Sequence, residues 1–192
     1  MIRALLATCL AVLAALPAAA VDIKEVTSPG GIRAWLVEEH SIPFTALELR
    51  FEGGTSLDAP GKRGATLLMM ALLEEGAGDL DSQGFAGARE RLAAQFEFDA
   101  HADAATVSAR MLTENRAEAV ALLRQALTEP HFDDTSVARV KGQVASIIRS
   151  DETDPNVIAS RTFDRLAFGD HPYGSSRFGT LDSLAALTRD DL

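Results

Sequence analysis

Gly64-Ala65-Thr66-Leu67-Leu68-Met69-Met70-Ala71-Leu72-Leu73-Glu74-Glu75-Gly76-Ala77 is a run that is apolar on nearly every side until its two glutamates. The spacing predicts a helix from about Arg63 to Leu73, ended by Glu74, Glu75 and Gly76. A helix apolar all round has no face to offer water, so it is a buried helix. The segments on either side of it decide what covers it.

On the amino-terminal side the sequence reads as strands. Asp22 to Thr27 and Ile32 to Glu38 flank Ser28-Pro29-Gly30-Gly31, a hairpin turn by composition. Phe44 to Glu52 alternates, with Leu47, Leu49 and Phe51 on one face and Glu48, Arg50 and Glu52 on the other, as in a half-buried strand. Gly53-Gly54 and Asp58-Ala59-Pro60-Gly61 then make a loop. On the carboxy-terminal side Ser82 to Ala94 reads as a helix with Ser82 as its cap. Phe96 to Asp103 and Ala105 to Leu112 read as two strands about a tight turn, and Arg116 to Thr128 as an amphipathic helix. Asp133 to Arg149 is a longer helix capped within Asp133-Asp134-Thr135-Ser136, with Val137, Val140, Val144, Ile147 and Ile148 as its apolar face. Asp154-Pro155 opens another, running to about Phe168, and Thr188 with Asp190-Asp191 suits the start of a last one near Leu192. Strands, then helices, then a hairpin and more helices argue an α+β fold, and no repeat or linker divides it.

The first twenty residues read differently. Arg3 precedes an apolar stretch from Ala4 to Leu16, then Pro17 and the small residues Ala18-Ala19-Ala20. That is the layout of a secretory signal peptide at 1–20, too short in its apolar part for a membrane span. The expectation is an exported protein, periplasmic or extracellular, with no stable membrane span once the leader is removed. Cys9, the one cysteine, lies inside that leader, so neither a disulfide nor a cysteine metal site is expected. The formal net charge is −10, and loss of Arg3 takes it to −11. Its acids are dispersed, without a basic patch interleaved with aromatics, which argues against nucleic acid as a partner.

The order of these pieces resembles the amino-terminal domain of the insulinase (pitrilysin-like) zinc peptidases. The buried helix looks like the one that carries their inverted H-x-x-E-H motif. The hairpin before it, Asp154-Pro155, His171-Pro172-Tyr173-Gly174 and the stretch from Gly179-Thr180-Leu181 to Leu192 match the family's layout. The resemblance implies a mixed, largely antiparallel sheet with helices packed on one face. It also implies that 21–192 is one such domain, cut before a second similar one.

Carried over residue by residue, the motif places Leu67 at the first histidine, Met70 at the glutamate base and Ala71 at the second histidine. The third ligand, a glutamate on a later helix, falls at Ser146 or Ile147. A hydrolytic zinc needs three nitrogen or oxygen ligands and an open water position. The metal lowers that water's pKa from about 15.7 to about 7, and a carboxylate taking its proton is worth about 10²- to 10⁴-fold. Leu, Met and Ala supply neither suitable ligand nor base, since a thioether is soft and prefers other metals. No metal ligand or catalytic residue is therefore expected in this chain. Leu67, Met70 and Ala71, at i, i+3 and i+4, share a helix face, expected to meet Ile147 as an apolar plug.

The remaining polar candidates read more simply. Asp99, His101 and Asp103 can project from one side of a strand, as a metal set or as a solvated face. His40 and His131 sit in loops, His171 in a turn, and Glu74-Glu75 at a helix end reads as solvated. The resemblance implies a non-catalytic subunit of an exported heteromeric zinc peptidase. Its partner would be an active insulinase-like subunit holding the zinc, with peptides as substrates. In this family an Arg and a Tyr of the second domain often aid peptide binding. The alternatives are a stand-alone peptide- or protein-binding module, or a zinc endopeptidase using displaced ligands such as Asp99, His101 and Asp103.

Overall fold

The computed structural model describes residues 21–192. The leader read at 1–20, with Cys9, lies outside the described residues. Among those described, no helix is long and apolar enough to cross a membrane. The chain divides into two units, one ending at Ile42 and the other running Pro43–Leu192.

In the first unit β1 (Ile23–Thr27) and β2 (Arg33–Val37) form an antiparallel hairpin, in register from Ile23 opposite Val37 to Thr27 opposite Arg33. Its turn is the predicted Ser28–Gly31. There Ser28 N–H donates to the Ile32 carbonyl at 2.8 Å, and the Ser28 hydroxyl accepts from Ile32 N–H at 3.0 Å.

The second unit opens with β3 (Phe44–Glu52) and a short 3₁₀ turn at Thr55–Leu57. Then come α1 (Ala65–Leu72), the two-residue strands β4 (Gly76–Ala77) and β5 (Leu80–Asp81), and α2 (Ser82–Arg91). After β6 (Gln95–Ala100) and β7 (Ala104–Leu112) the chain is helical: α3 (Arg116–Thr128), α4 (Asp134–Asp151), α5 (Pro155–Phe168) and α6 (Leu181–Ala186). The sheet order is β3-β7-β6, with both pairs antiparallel. An isolated parallel bridge joins Gly53 to Ala104.

Period-two alternation gives this sheet two unlike faces. Along β7, Ala105, Val107, Ala109 and Met111 are buried, facing Leu47 and Leu49 of β3 and Phe96, Phe98 and Ala100 of β6 in register. The opposite face exposes Glu48, Arg50, Glu97, Asp99 and Arg110. Three helices cover the apolar face: Met70 of α1, Phe85 and Ala88 of α2, and Ala119, Leu122, Leu123 and Ala126 of α3. A second cluster lies on another side of α1, where Leu68 and Leu72 meet Val140, Val144 and Ile148 of α4 and Leu184 and Leu187. The fold is thus α+β, with helices on one face of an antiparallel sheet.

Several local readings hold and others shift by a residue or more. Asp133 caps α4 by accepting from Ser136 N–H at 2.9 Å, and Asp154 caps α5 with Pro155 as first helical residue. The cap of α2 is Asp81 rather than Ser82, since it is the Asp81 carboxylate that accepts from Gly84 N–H at 2.7 Å. Ser82 instead donates to Glu75 at 2.9 Å. At the far end the expected helix is a 3₁₀ turn at Arg189–Asp191, with Thr188 N–H on the Asp191 carboxylate at 2.7 Å.

The loop before α1 and the loop before α6 cross at two glycines. Gly64 and Gly179 both hold positive φ, 99° and 73°. A Cβ on Gly64 would lie 2.7 Å from the Phe178 carbonyl oxygen, and one on Gly179 would fall on the Arg63 carbonyl oxygen. Ser183, in the first turn of α6, donates to that same Arg63 carbonyl at 2.9 Å. Gly179→Ala is therefore expected to cost about 2–4 kcal/mol, from strained φ and overpacking together. Urea denaturation with an unchanged m-value checks it, and a loss below about 0.5 kcal/mol would show that the crossing is loose.

Candidate functional site

The amino-terminal end of α1 is fixed from the preceding loop. Asp58 accepts from Gly64 N–H at 2.7 Å, from Thr66 N–H at 3.1 Å and from the Thr66 hydroxyl at 2.6 Å. One carboxylate so satisfies amides that a helix start leaves without partners, on the side where the helix dipole favours negative charge. Arg63 follows in the same loop and donates through Nη2 to the Pro172 carbonyl at 2.8 Å. Burial pulls its guanidinium below its ordinary pKa, and the Asp58 charge opposes that. Lys62 reaches the Ala186 carbonyl at 2.6 Å and the Asp191 carboxylate at 2.8 Å, tying this loop to the end of the chain.

At the carboxy-terminal end Glu74 is exposed, as the sequence suggests, whereas Glu75 is partly buried. Glu74 pairs with Arg89 of α2 and Glu75 with Arg139 of α4. The Glu75 hydrogen bond, then its charge, hold the Arg139 guanidinium above its ordinary value. Each glutamate anchors α1 to a different neighbouring helix.

Between these ends stand Leu67, Met70 and Ala71. Met70 is buried in the sheet-side cluster, Ala71 packs against the cluster formed with α4, and Leu67 touches both. The three residues therefore do not make one plug on one face. They form a seam along which two cores join. The expected closing piece is also placed differently, because Ile147 is 42% exposed and packs in neither cluster. The buried stripe of α4 is Ser136, Val140, Val144 and Ile148, four residues apart, and Ile147 falls beside it. Ser146 is exposed, and its hydroxyl donates back to the Gly142 carbonyl at 3.0 Å.

The histidine candidates do not converge. Among the described residues no group of three or more His, Cys, Asp or Glu side chains is placed to hold a metal ion. Asp99 lies in β6 on the exposed sheet face, His101 is exposed beyond its end, and Asp103 accepts from Ser56 at 3.4 Å and from the Tyr173 hydroxyl. That last bond, then burial, raises the Tyr173 pKa. His171 caps the turn at Pro172–Gly174 by accepting from Tyr173 N–H at 3.2 Å and stacks edge-on against that ring. His131 is a clamp, its ring Nε2 against the Gly78 carbonyl and its backbone N–H donating to the Gly76 carbonyl at 3.1 Å. His40 is exposed. The contacts of His131, His171 and Asp103 are structural, and none of these candidates is placed with others to hold a metal ion. Asp58 was missed in the sequence because its six-residue reach across a loop to Gly64 lies outside any local capping pattern.

No family model matches the chain. It is 28% identical over 155 residues to a protein of Helicobacter pylori named non-peptidase homolog YmxG, covering 81% of this chain and 36% of that one. It is 23% identical over 168 residues to an uncharacterized zinc protease of Streptomyces coelicolor, covering 88% and 37%. Among solved structures it matches the crystal structure of a peptidase M16 inactive domain from Pseudomonas fluorescens, with a TM-score of 0.85 and 28% identity, covering 89% of this chain and 42% of that one. The chain thus spans about two fifths of the length of these relatives.

A histidine at the seam would bring a polar ring where the neighbours are apolar. Leu67→His is expected to destabilise by about 1–3 kcal/mol and to gain no zinc affinity. A chemical-denaturation midpoint unchanged from the parent would mean that Leu67 is not part of the joined core.

Proposed function

We propose that this chain is an inactive insulinase-like (M16-type) peptidase homologue and, more finely, the non-catalytic subunit of an exported heteromeric zinc peptidase. The observation that carries the reading is the seam. The helix matching the family's zinc helix keeps its caps, its ion pairs and both its cores, while Leu67, Met70 and Ala71 fill the motif positions with packing residues. A fold maintained without its chemistry has its remaining use in its surface. The active subunit, with an intact H-x-x-E-H, supplies zinc, nucleophilic water and base. This subunit supplies part of the chamber wall and contacts to the peptide. The relatives' greater length accommodates a second, similar domain on the same chain, completing this side of the chamber. Two copies of this chain alone would enclose no zinc, which is why the assembly is a heteromer.

Export rests on the Arg3, Ala4–Leu16 and Ala18–Ala20 succession. Mass spectrometry of the secreted or periplasmic protein is expected to find a start near Val21. Recovery of intact Met1 in the cytosol contradicts export.

For the heteromer, the expected outcome is co-elution with an active homologue from the same organism at micromolar concentration, and a rise in that homologue's cleavage of unfolded peptides. Separate elution with unchanged cleavage sinks the heteromer. If the protein then still retains unfolded peptides by itself, the stand-alone binding module takes its place.

A further inference from the structure

Arg63 presents donors that nothing in the protein accepts. Its Nη2 donates to the Pro172 carbonyl at 2.8 Å, while Nε and Nη1 are buried and have no hydrogen-bond partner among the described residues. Nor does Arg63 form an ion pair with any of them. The Asp58 charge acts on it, but both Asp58 oxygens are taken, by Gly64 N–H, Thr66 N–H and the Thr66 hydroxyl. A second orphan borders the same turn. The 3₁₀ turn Thr55–Leu57 packs against Pro172–Gly174, and Thr55 is fully buried with its hydroxyl unpartnered. Folded proteins leave few buried donors unpaired, because each forfeits its hydration, and a charged one forfeits most.

The chemistry of these groups narrows what they can hold. The Nε and Nη1 protons of a guanidinium are donors only, and the Thr55 hydroxyl can donate as well. A water placed there brings two protons that need acceptors of their own. A small anion brings none, and it offsets a buried positive charge. We propose that the Arg63 guanidinium, where the loop before α1 meets the Thr55 and Pro172 turns, binds a small monovalent anion of the chloride class. The anion fastens the loop that starts α1 to the turn at Pro172–Gly174. It is a structural ligand, and the inference is independent of the heteromer.

The test follows thermal unfolding of the protein while chloride replaces gluconate at fixed ionic strength, from about 5 to about 500 mM. A ligand that binds only the folded state raises Tm with its concentration, so a rise of about 3 °C or more is expected in the parent. In Arg63→Gln that rise is expected to vanish. Crystals grown in sodium bromide are expected to show an anomalous bromide peak within hydrogen-bonding distance of Arg63 Nε or Nη1. That second measurement decides the question on the parent protein even where the variant fails to fold. A Tm that is the same in chloride and in gluconate overturns the proposal. So does a rise of equal size in Arg63→Gln, which places the anion elsewhere. Density beside Arg63 without a bromide signal assigns the acceptor to water and overturns it too.

Discussion

Met70 of α1 in the sheet-side core, Leu68 and Leu72 in the core against α4, and Leu67 touching both tie the two cores together, and the arrangement of the second unit follows from that junction. Leu68 and Leu72 are fully buried, and a side chain of that size contributes roughly 1.5–3 kcal/mol when taken from water. The helix is only eight residues long, too short to persist by its own propensity. Packing on both flanks, the Asp58 cap and the pairs made by Glu74 and Glu75 hold it. These supports come from β6, α2, α4 and the loop after β3, so α1 is where distant parts of the chain are fastened together.

The same junction explains why apolar residues suit the motif positions. A polar ligand cluster between two cores is stable when a metal satisfies it, because metal binding and folding share one free energy. Without the metal, each unpaired group carries a desolvation cost, and well-packed apolar residues of similar volume are often neutral or better. Leu67 and Met70 provide that volume. Ile147 is exposed, so its side of α4 lies outside both cores and keeps an open surface.

The fold was legible wherever periodicity was strong. The Phe44–Glu52 alternation, the all-apolar helix and the Asp133 and Asp154 caps are local patterns with local physical causes, and each stands in the structure at or near its expected place. What local pattern could not supply was three-dimensional. Leu67, Met70 and Ala71 group on one side of a helix by their i, i+3, i+4 spacing, yet Met70 and Ala71 belong to different cores because α1 has neighbours on two flanks. Ile147 sits beside Ile148 in the sequence, and only the angle at which α4 meets α1 decides which one is buried. The ion pairs of Glu74 and Glu75 are not legible in local pattern because Arg89 and Arg139 lie 15 and 64 residues away.

On the proposed function, α1 serves to pack the two cores and binds no zinc. Elemental analysis of the protein, purified without chelators and dialysed against micromolar zinc, tests it most directly. Far less than one zinc per chain is expected. About one tightly held zinc per chain, retained through dialysis into zinc-free buffer, would contradict it.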